Sequence, residues 1–435
     1  MEKQRWTDLY KLEDWWAVWI GFLLLATVFC GAVTVVPKVA SWQWGEIDAA
    51  FPSGLVPRMV VLVVGLGTLL ASAAAAMKGR ADWRTLPGLI LIFLVAVFAF
   101  VVAEEKGVKY YGIEYVLWAL LFGLLISNTV GTPAWAQPAM QTEFYIKAGL
   151  VLLGAEILWD KIVAFGPYGI AISWGVVPFV ILFMWFFGVH VLKMANKPLV
   201  IVIATAASVC GISAAIAAAA ASRAKKEDLA LAVGMSLIFT VLMMIFMPVV
   251  IKILAMDEVL GGAWIGGTVD STGAVVAAGA ALGKRAESVA AMVKMIQNVL
   301  IGVVAFFIAV YWVAVVDREK TALHTPFLEL WNRFPKFILG FVAASLVASW
   351  VLVPLHGADY VGACVKQTQV FRSWLFCLAF VCIGLESNFK SLRTQMGGGK
   401  PLVLYVVGQG FNVLLTLLVA WLVLSGTILR PPTGF

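Results

Sequence analysis

Apolar runs of about 20 residues recur along the whole chain, and short polar or charged intervals separate them. A helix of this length crosses a hydrocarbon core of roughly 30 Å, so the pattern predicts an all-α polytopic membrane protein with about 11–13 transmembrane segments. Thirteen candidate segments lie at 15–36, 57–77, 86–103, 113–130, 144–163, 167–192, 199–222, 229–256, 261–283, 288–316, 336–355, 371–389 and 401–424.

Three of these segments, 144–163, 199–222 and 261–283, contain polar or glycine-rich interruptions. Such interruptions are costly in a helix that faces lipid. Carriers use them where irregular backbone lines a cavity. We therefore expect a carrier core that contains discontinuous helices.

The composition narrows the class of protein further. Hydrophobic residues make up 62% of the chain and charged residues 13%, against about 25% charged in soluble proteins. The net charge of +7 is typical of loops that contact anionic lipid headgroups, so the expected partner is the bilayer and not a nucleic acid. The five cysteines show no CxxC or Cys/His spacing, so no metal or cofactor site is expected.

The basic residues indicate an N-terminus on the cytoplasmic side, because Lys and Arg accumulate in cytoplasmic loops. Residues 1–14 mix basic and apolar side chains, which is typical of an interfacial lead-in and not of a cleaved signal peptide. If the segments alternate in direction, two basic clusters, at 223–226 and 284–285, lie on the side of the membrane opposite the cytoplasm. They leave open that one or two segments are re-entrant.

A short motif that occurs twice in the chain predicts an inverted repeat. Leu152–Glu156 and Cys382–Glu386 both end in Gly-x-Glu, and Gly154 and Gly384 lie 230 residues apart. Many transporters are built from two such halves. The motif is short, so chance is the alternative.

The first candidate site lies in segment 199–222, where Ser208, Cys210, Gly211 and Ser213 form a cluster. A helix broken at Gly211 would free backbone N–H groups at the start of its second half. Together with the positive end of the helix dipole, these groups bind anions. The alternative is that the small residues only allow close helix packing.

The second candidate site surrounds Asp270, a carboxylate inside an apolar segment. A lone buried charge is costly without a partner, a cation or water. The neighbouring Gly266–Gly267 and Ser271–Gly273 would allow unwound backbone, whose oxygens can ligate Na+. The alternative is an ion pair with Lys294. The candidate residues are Thr268, Asp270, Ser271, Thr272 and Gly273.

A third candidate is the face formed by Lys294, Gln297 and Asn298, which stand at i, i+3 and i+4 of one helix. A lysine with two amides is suited to anion coordination, although Lys294 could instead extend to the membrane surface. We expect Glu156, Asp160 and Lys161, like Glu386, to be exposed at the interface. No set of nucleophile, base and paired carboxylate suggests an enzyme.

At this point the chain resembles a known family. Ser208–Gly211, then Ile265–Val269 leading to Val275–Gly279, and then Val293–Met295 are similar in order and spacing to the sulfate exporter family, the YeiH-type bacterial inner-membrane proteins. The resemblance covers about residues 113–424. It implies a secondary carrier of small sulfur-containing or inorganic anions, with a core related to the sodium/proton antiporters and bile-acid carriers. The chain departs from the family pattern at Asp270–Ser271, where several members have His-Glu, and at Glu156, where a basic residue is common.

The resemblance divides the chain into a lead-in (1–14), N-terminal spans that serve as scaffold or dimer contact (15–112), a transporter core (113–424) and a tail (425–435). The expected function is a secondary active exporter of a small anion such as sulfate, sulfite or a sulfonate, coupled to H+ or Na+. Its expected location is the bacterial inner membrane, with a homodimer as one possible assembly. The alternative is a passive anion channel. Asp270 would carry the coupling ion, with Na+ as a candidate near it. The expected substrate-binding residues are Ser208, Cys210, Gly211, Ser213, Thr268, Ser271, Thr272, Gly273, Lys294, Gln297 and Asn298.

Overall fold

A computed structural model describes residues 12–110, 115–157, 159–312, 335–387 and 399–426. Within these ranges the chain forms α-helices with short 3-10 and π turns and no β-strand. In these ranges nine helical runs are long and apolar enough to cross a membrane, and three of them, Ile162–Val191, Lys197–Ala219 and Lys336–His356, contain a π turn. These observations confirm the predicted all-α, multi-pass membrane protein.

Most helices coincide with the apolar segments, but two begin earlier than predicted. One begins at Trp159 and includes residues 159–163, which the prediction assigned to the preceding segment. Another begins at Ala358, not 371, because polar residues in its first turns conceal it from a hydropathy count. The longer helices are α1 (Glu13–Phe29), α2 (Leu55–Lys78), α3 (Thr85–Ala103), α4 (Tyr115–Thr129), α5 (Thr142–Glu156), α6 (Trp159–Phe186), α7 (Lys197–Thr205), α8 (Gly211–Ser222), α9 (Lys226–Ile253), α10 (Glu258–Thr268), α11 (Thr272–Ala280), α12 (Lys284–Tyr311), α13 (Lys336–Leu346), α14 (Ala358–Glu386) and α15 (Lys400–Leu424). Two short helices, Lys106–Tyr110 and Val353–His356, lie between them.

Two of the interrupted segments are broken helices, as predicted. Between α7 and α8 the chain makes a π turn, Ala206–Cys210, and α8 starts at Gly211. Between α10 and α11 the backbone is extended at Val269 and Ser271. We refer to these places as the first break and the second break.

The expected unwinding at Gly266–Gly267 is wrong, because both glycines lie inside α10. They are packing positions. A Cβ on Gly266 would stand 2.7 Å from the carbonyl oxygen of Ala290, and one on Gly267 would stand 2.6 Å from the methyl of Thr416. The glycines allow close contact with α12 and α15, and α10 ends only after them.

Contacts divide the chain into two compact units. Unit 1 comprises residues 1–159 and 336–388, and unit 2 comprises residues 160–335 and 389–435. Both breaks belong to unit 2. This division differs from the boundary at 112/113, which follows the family resemblance and not contacts. The roles of 15–112 as scaffold or dimer contact stay predictions.

In unit 1 the two glycines of the repeated Gly-x-Glu motif, Gly154 and Gly384, have matching roles. Gly154 lies so close to the backbone of Phe341 that α5 and α13 could not accept a side chain between them. A Cβ on Gly384 would stand 2.5 Å from the carbonyl oxygen of Leu120, where α14 crosses α4. Each glycine therefore marks a close helix crossing. The inverted repeat itself stays a prediction.

Unit 1 also buries an ion pair that the sequence did not suggest. Arg372 donates from Nε and Nη2 to the two carboxylate oxygens of Glu156, at 2.8 and 3.1 Å. Their side chains are 9% and 7% exposed. The expectation that Glu156 is an exposed interface residue is therefore wrong. Asp160 and Glu386 are exposed as expected, and the side chain of Lys161 lies outside the described residues.

Candidate functional site

Each break in unit 2 places the end of one helix beside the start of another. Cys210 and Ser271 hold the N-cap positions of α8 and α11 in extended conformation, and neither side chain caps its helix. The first N–H groups of a helix have no partner within it, and the last C=O groups have none either. The neighbouring side chains therefore decide which of these groups are satisfied.

The predicted face of α12 meets the carbonyl side of the first break. Lys294 is 1% exposed, and its Nζ donates to the Val209 carbonyl at 2.5 Å and to Gln297 Oε1 at 2.8 Å. Lys294 thus does not extend to the membrane surface. Its charge lies at the carbonyl end of a helix, where the dipole favours a cation.

The other two residues of this face also reach the breaks. Gln297 Nε2 donates to the carbonyls of Ser208 and Gly267, at 3.0 and 3.1 Å, so one amide connects the two breaks. Asn298 Nδ2 donates to Thr272 Oγ1 at 3.1 Å. The structure therefore brings all three residues of the α12 face to the broken helices.

Sequence reasoning missed a second polar face, on α15. Gln409 Nε2 donates to the Thr268 carbonyl and Asn412 Nδ2 to the Ala207 carbonyl, both at 3.0 Å. Thr416 Oγ1 in turn donates to Asn412 Oδ1. With Tyr405, these residues stand at i, i+4, i+7 and i+11, one helical face. That periodicity of buried polar residues in an apolar span was the available signal.

Asp270 lies in the second break and is 1% exposed. Its Oδ2 accepts a hydrogen bond from the Tyr405 hydroxyl. Among the described ion pairs none joins Asp270 to Lys294, so the alternative of a direct pair is wrong. The second oxygen of Asp270 has no hydrogen-bond partner.

Unpartnered polar atoms concentrate around the breaks. Buried polar groups are rarely left without a hydrogen bond, so each exception asks for an explanation. In the described ranges five buried side-chain atoms lack a partner, and only the indole nitrogen of Trp118 belongs to unit 1. The four in unit 2 are Thr268 Oγ1, Asp270 Oδ1, Asn298 Oδ1 and Gln409 Oε1.

The remaining predicted site residues differ in how accessible their polar atoms are. The Ser208 hydroxyl donates to the Ala204 carbonyl, one turn earlier in the chain, at 2.7 Å, so its hydrogen already has an acceptor. Cys210 Sγ lies 3.8 Å from Thr272 Oγ1, and Gly211 packs against Ser236. Ser213 and Ser271, at the starts of α8 and α11, are half-buried, whereas Gly273 is buried.

The carbonyl ends and the amide ends of the broken helices therefore differ in their side-chain contacts. Lys294, Gln297, Gln409 and Asn412 bind the carbonyl ends. The amide ends of α8 and α11 receive no side-chain cap. The positive dipole end at the start of a helix favours an anion.

These features define an all-α, multi-pass membrane protein that holds two broken helices together through polar faces on α12 and α15. A sequence profile of the family described as "Conserved hypothetical protein 698" matches residues 87–405, which include both breaks. The chain belongs to this family, whose members are named UPF0324 membrane proteins. Helices α1 and α2 precede the matched region.

Relatives from several bacteria share this name. A UPF0324 membrane protein of Rhodopirellula baltica is 50% identical over 387 residues, which cover 88% of this chain and 71% of the relative. One from Nitratidesulfovibrio vulgaris is 51% identical over 399 residues, covering 88% and 68%. One from Nitrosomonas europaea is 26% identical over an alignment of 491 positions, which covers 99% of each chain. No solved structure matches the chain.

Proposed function

We propose that the chain is a secondary active transporter that moves a small anion across the membrane, coupled to H+ or Na+. The observation that carries the proposal is the asymmetry of the breaks in unit 2. Side chains satisfy the carbonyl ends, whereas the amide ends of α8 and α11 have no side-chain cap. We expect the positive dipole ends at these two helix starts to attract an anion.

The substrate class that suits this site is a sulfur oxyanion, such as sulfate or sulfite, or a sulfonate. Several acceptor oxygens on one centre can accept hydrogen bonds from backbone N–H groups and from the half-buried hydroxyls of Ser213 and Ser271. The ammonium of Lys294, which donates to the Val209 carbonyl in the first break, adds positive charge near these donors. The resemblance to sulfate exporters supports the same class and an outward direction of transport.

A carrier fits the burial of these groups better than a passive channel does. A conducting pore keeps its polar lining in contact with water. Here Asp270 and Lys294 are 1% exposed and Asn298 is 0% exposed. A buried coupling residue instead suits a protein that opens to one side at a time.

The test is anion flux in proteoliposomes that contain the purified protein. Labelled sulfate and sulfite are offered with and without unlabelled anion inside, under an imposed pH or Na+ gradient. A carrier gives saturable uptake and counterflow. Flux that rises linearly with concentration and shows no counterflow would contradict the proposal and favour the channel.

Asp270→Asn tests the coupling role in the same assay. An asparagine can still accept the hydrogen bond from Tyr405, so we expect the fold to persist. We expect driven uptake to lose its dependence on the pH or Na+ gradient, while counterflow continues. Ser222→Ala is the matched control, because that hydroxyl bonds only to the Ala218 carbonyl of its own helix. Unchanged gradient dependence in Asp270→Asn would reject the role.

A further inference from the structure

We propose that the second break binds a sodium ion through Thr268 Oγ1, Asp270 Oδ1 and Gln409 Oε1. This inference rests on the proposed function and deepens it, because it selects Na+ and not H+ as the coupling ion. All three atoms lack a hydrogen-bond partner. Their residues are 1%, 1% and 4% exposed.

Backbone and side-chain contacts hold the three residues at one place. Thr268 is the last residue of α10, and Asp270 follows two residues later in the extended chain. Gln409 Nε2 donates to the Thr268 carbonyl at 3.0 Å. That bond also fixes the orientation of the amide, since the reverse orientation would set two acceptor oxygens against each other.

The chemistry of the three oxygens distinguishes Na+ from a proton. A proton on Asp270 would satisfy one carboxylate oxygen and leave the hydroxyl oxygen of Thr268 and the amide oxygen of Gln409 without a partner. A hard cation takes several oxygen ligands at once, from carboxylate, amide and hydroxyl groups. One bound cation would therefore account for all three atoms at once.

Charge limits the ion to a monovalent one. Asp270 is the only carboxylate in the set. The ammonium of Lys294 already places one positive charge near the site. It donates to Gln297, which in turn donates to the carbonyl of Gly267, next to Thr268. A divalent ion would add a second uncompensated positive charge to this buried region, which is costly.

The position of the ion suggests how it promotes anion binding. The ion would lie at the carbonyl end of α10, where the helix dipole favours a cation. The amide end of α11 begins across the same break at Thr272. A bound Na+ would therefore add positive charge beside the proposed anion site, so each ion would raise the affinity for the other.

The experiment measures Na+ binding to the full-length protein in detergent. Thermal unfolding and calorimetry are recorded in sodium gluconate and in choline gluconate at equal ionic strength, with no sulfur anion present. We expect the unfolding midpoint of the wild type to rise with Na+ concentration and to saturate. Thr268→Val keeps the side-chain shape but removes the oxygen. We expect it to weaken Na+ binding at least tenfold.

The same variant separates a binding role from a structural one. Because Thr268 Oγ1 bonds to nothing in the protein, Thr268→Val should unfold at the wild-type midpoint in choline. Ser222→Ala should retain wild-type Na+ affinity. A variant that binds Na+ as the wild type does, or a wild type that gains nothing from Na+, would overturn the inference.

The flux assay distinguishes failure of this inference from failure of the transport proposal. Anion uptake that is driven by a pH gradient and indifferent to Na+, with counterflow retained, would overturn the sodium site and leave the transporter. Saturable Na+ binding that Thr268→Val weakens, in a protein without anion counterflow, would support the site and overturn the transporter.

Discussion

The two units bury their charges in different ways. In unit 1, Glu156 and Arg372 bond directly to each other through two hydrogen bonds of 2.8 and 3.1 Å. In unit 2, Asp270 bonds to the hydroxyl of Tyr405, and Lys294 bonds to the Val209 carbonyl and to Gln297. The acid and the base of unit 2 thus each use neutral partners.

This difference suggests different tasks. A direct pair satisfies both charges and leaves little capacity for a ligand, which suits a structural contact between α5 and α14. Charges that are held apart by neutral partners keep attraction for ions of opposite sign. The unpartnered side-chain oxygens of unit 2 support the same interpretation. The comparison therefore separates a structural ion pair from a candidate binding site.

The largest expected effect is that of breaking the ion pair in unit 1. Arg372→Met would leave the Glu156 carboxylate buried without the guanidinium, and the loss of a partner in such a pair typically costs about 3–5 kcal/mol. We expect a loss of this size in the free energy of unfolding, measured in detergent by denaturant titration.

A double variant sharpens this prediction. Replacing a buried pair by apolar residues is often close to neutral. Glu156→Leu combined with Arg372→Met should therefore recover most of the stability that Arg372→Met loses. A double variant as unstable as the sum of the two single variants would show that the two side chains do not act as a pair.

A smaller effect is expected in unit 2. Lys294→Met removes the donor to the Val209 carbonyl and to Gln297, and an unsatisfied buried acceptor costs about 1–3 kcal/mol. The same denaturant titration measures it. Adding Asp270→Asn measures the coupling of the two charges, which interact through space but share no direct bond, so we expect a smaller coupling energy than that of Glu156 with Arg372. A coupling as large as that of Glu156 with Arg372 would contradict the contrast between the units.

The smallest effect is expected at a surface pair in unit 1. Partial burial raises the pKa of Glu104, but hydrogen bonds from Lys109 and Ser41 outweigh it, so the pKa lies below its usual value. Lys109 is 55% exposed, and exposed pairs contribute less than about 1 kcal/mol.

The sign of the pH dependence at this surface pair follows from the lowered pKa. Glu104 contributes stability above its unfolded pKa, and the contribution is lost as pH falls through the folded pKa. Lys109→Met should therefore be slightly less stable than the wild type at pH 7 and equally stable in acid. A difference that persists in acid would exclude the ion pair as its cause. Thermal unfolding at several pH values gives the comparison.

Local sequence patterns were sufficient to predict the helices and the two breaks. Gly211 and Asp270 stand out because polar or small residues interrupt apolar runs at those places. Lys294, Gln297 and Asn298 share a helical face, so their grouping could be predicted from spacing alone.

What the sequence did not show depends on contacts between distant segments. Arg372 lies 216 positions from Glu156, and nothing local indicates that they meet. Gly266 and Gly267 were expected to unwind the chain, but neighbouring helices pack against them. The α15 face was missed because single Gln, Asn and Thr residues are each tolerated in an apolar span, and only their spacing marks a shared site.

The most direct test of the proposed anion site is an electron cryo-microscopy structure of the protein with sulfite and Na+. We expect density for an oxyanion within about 2.7–3.2 Å of the first backbone N–H groups of α8 and α11. Unbroken helices through 206–211 and 269–271, or an anion bound away from both helix starts, would contradict the account.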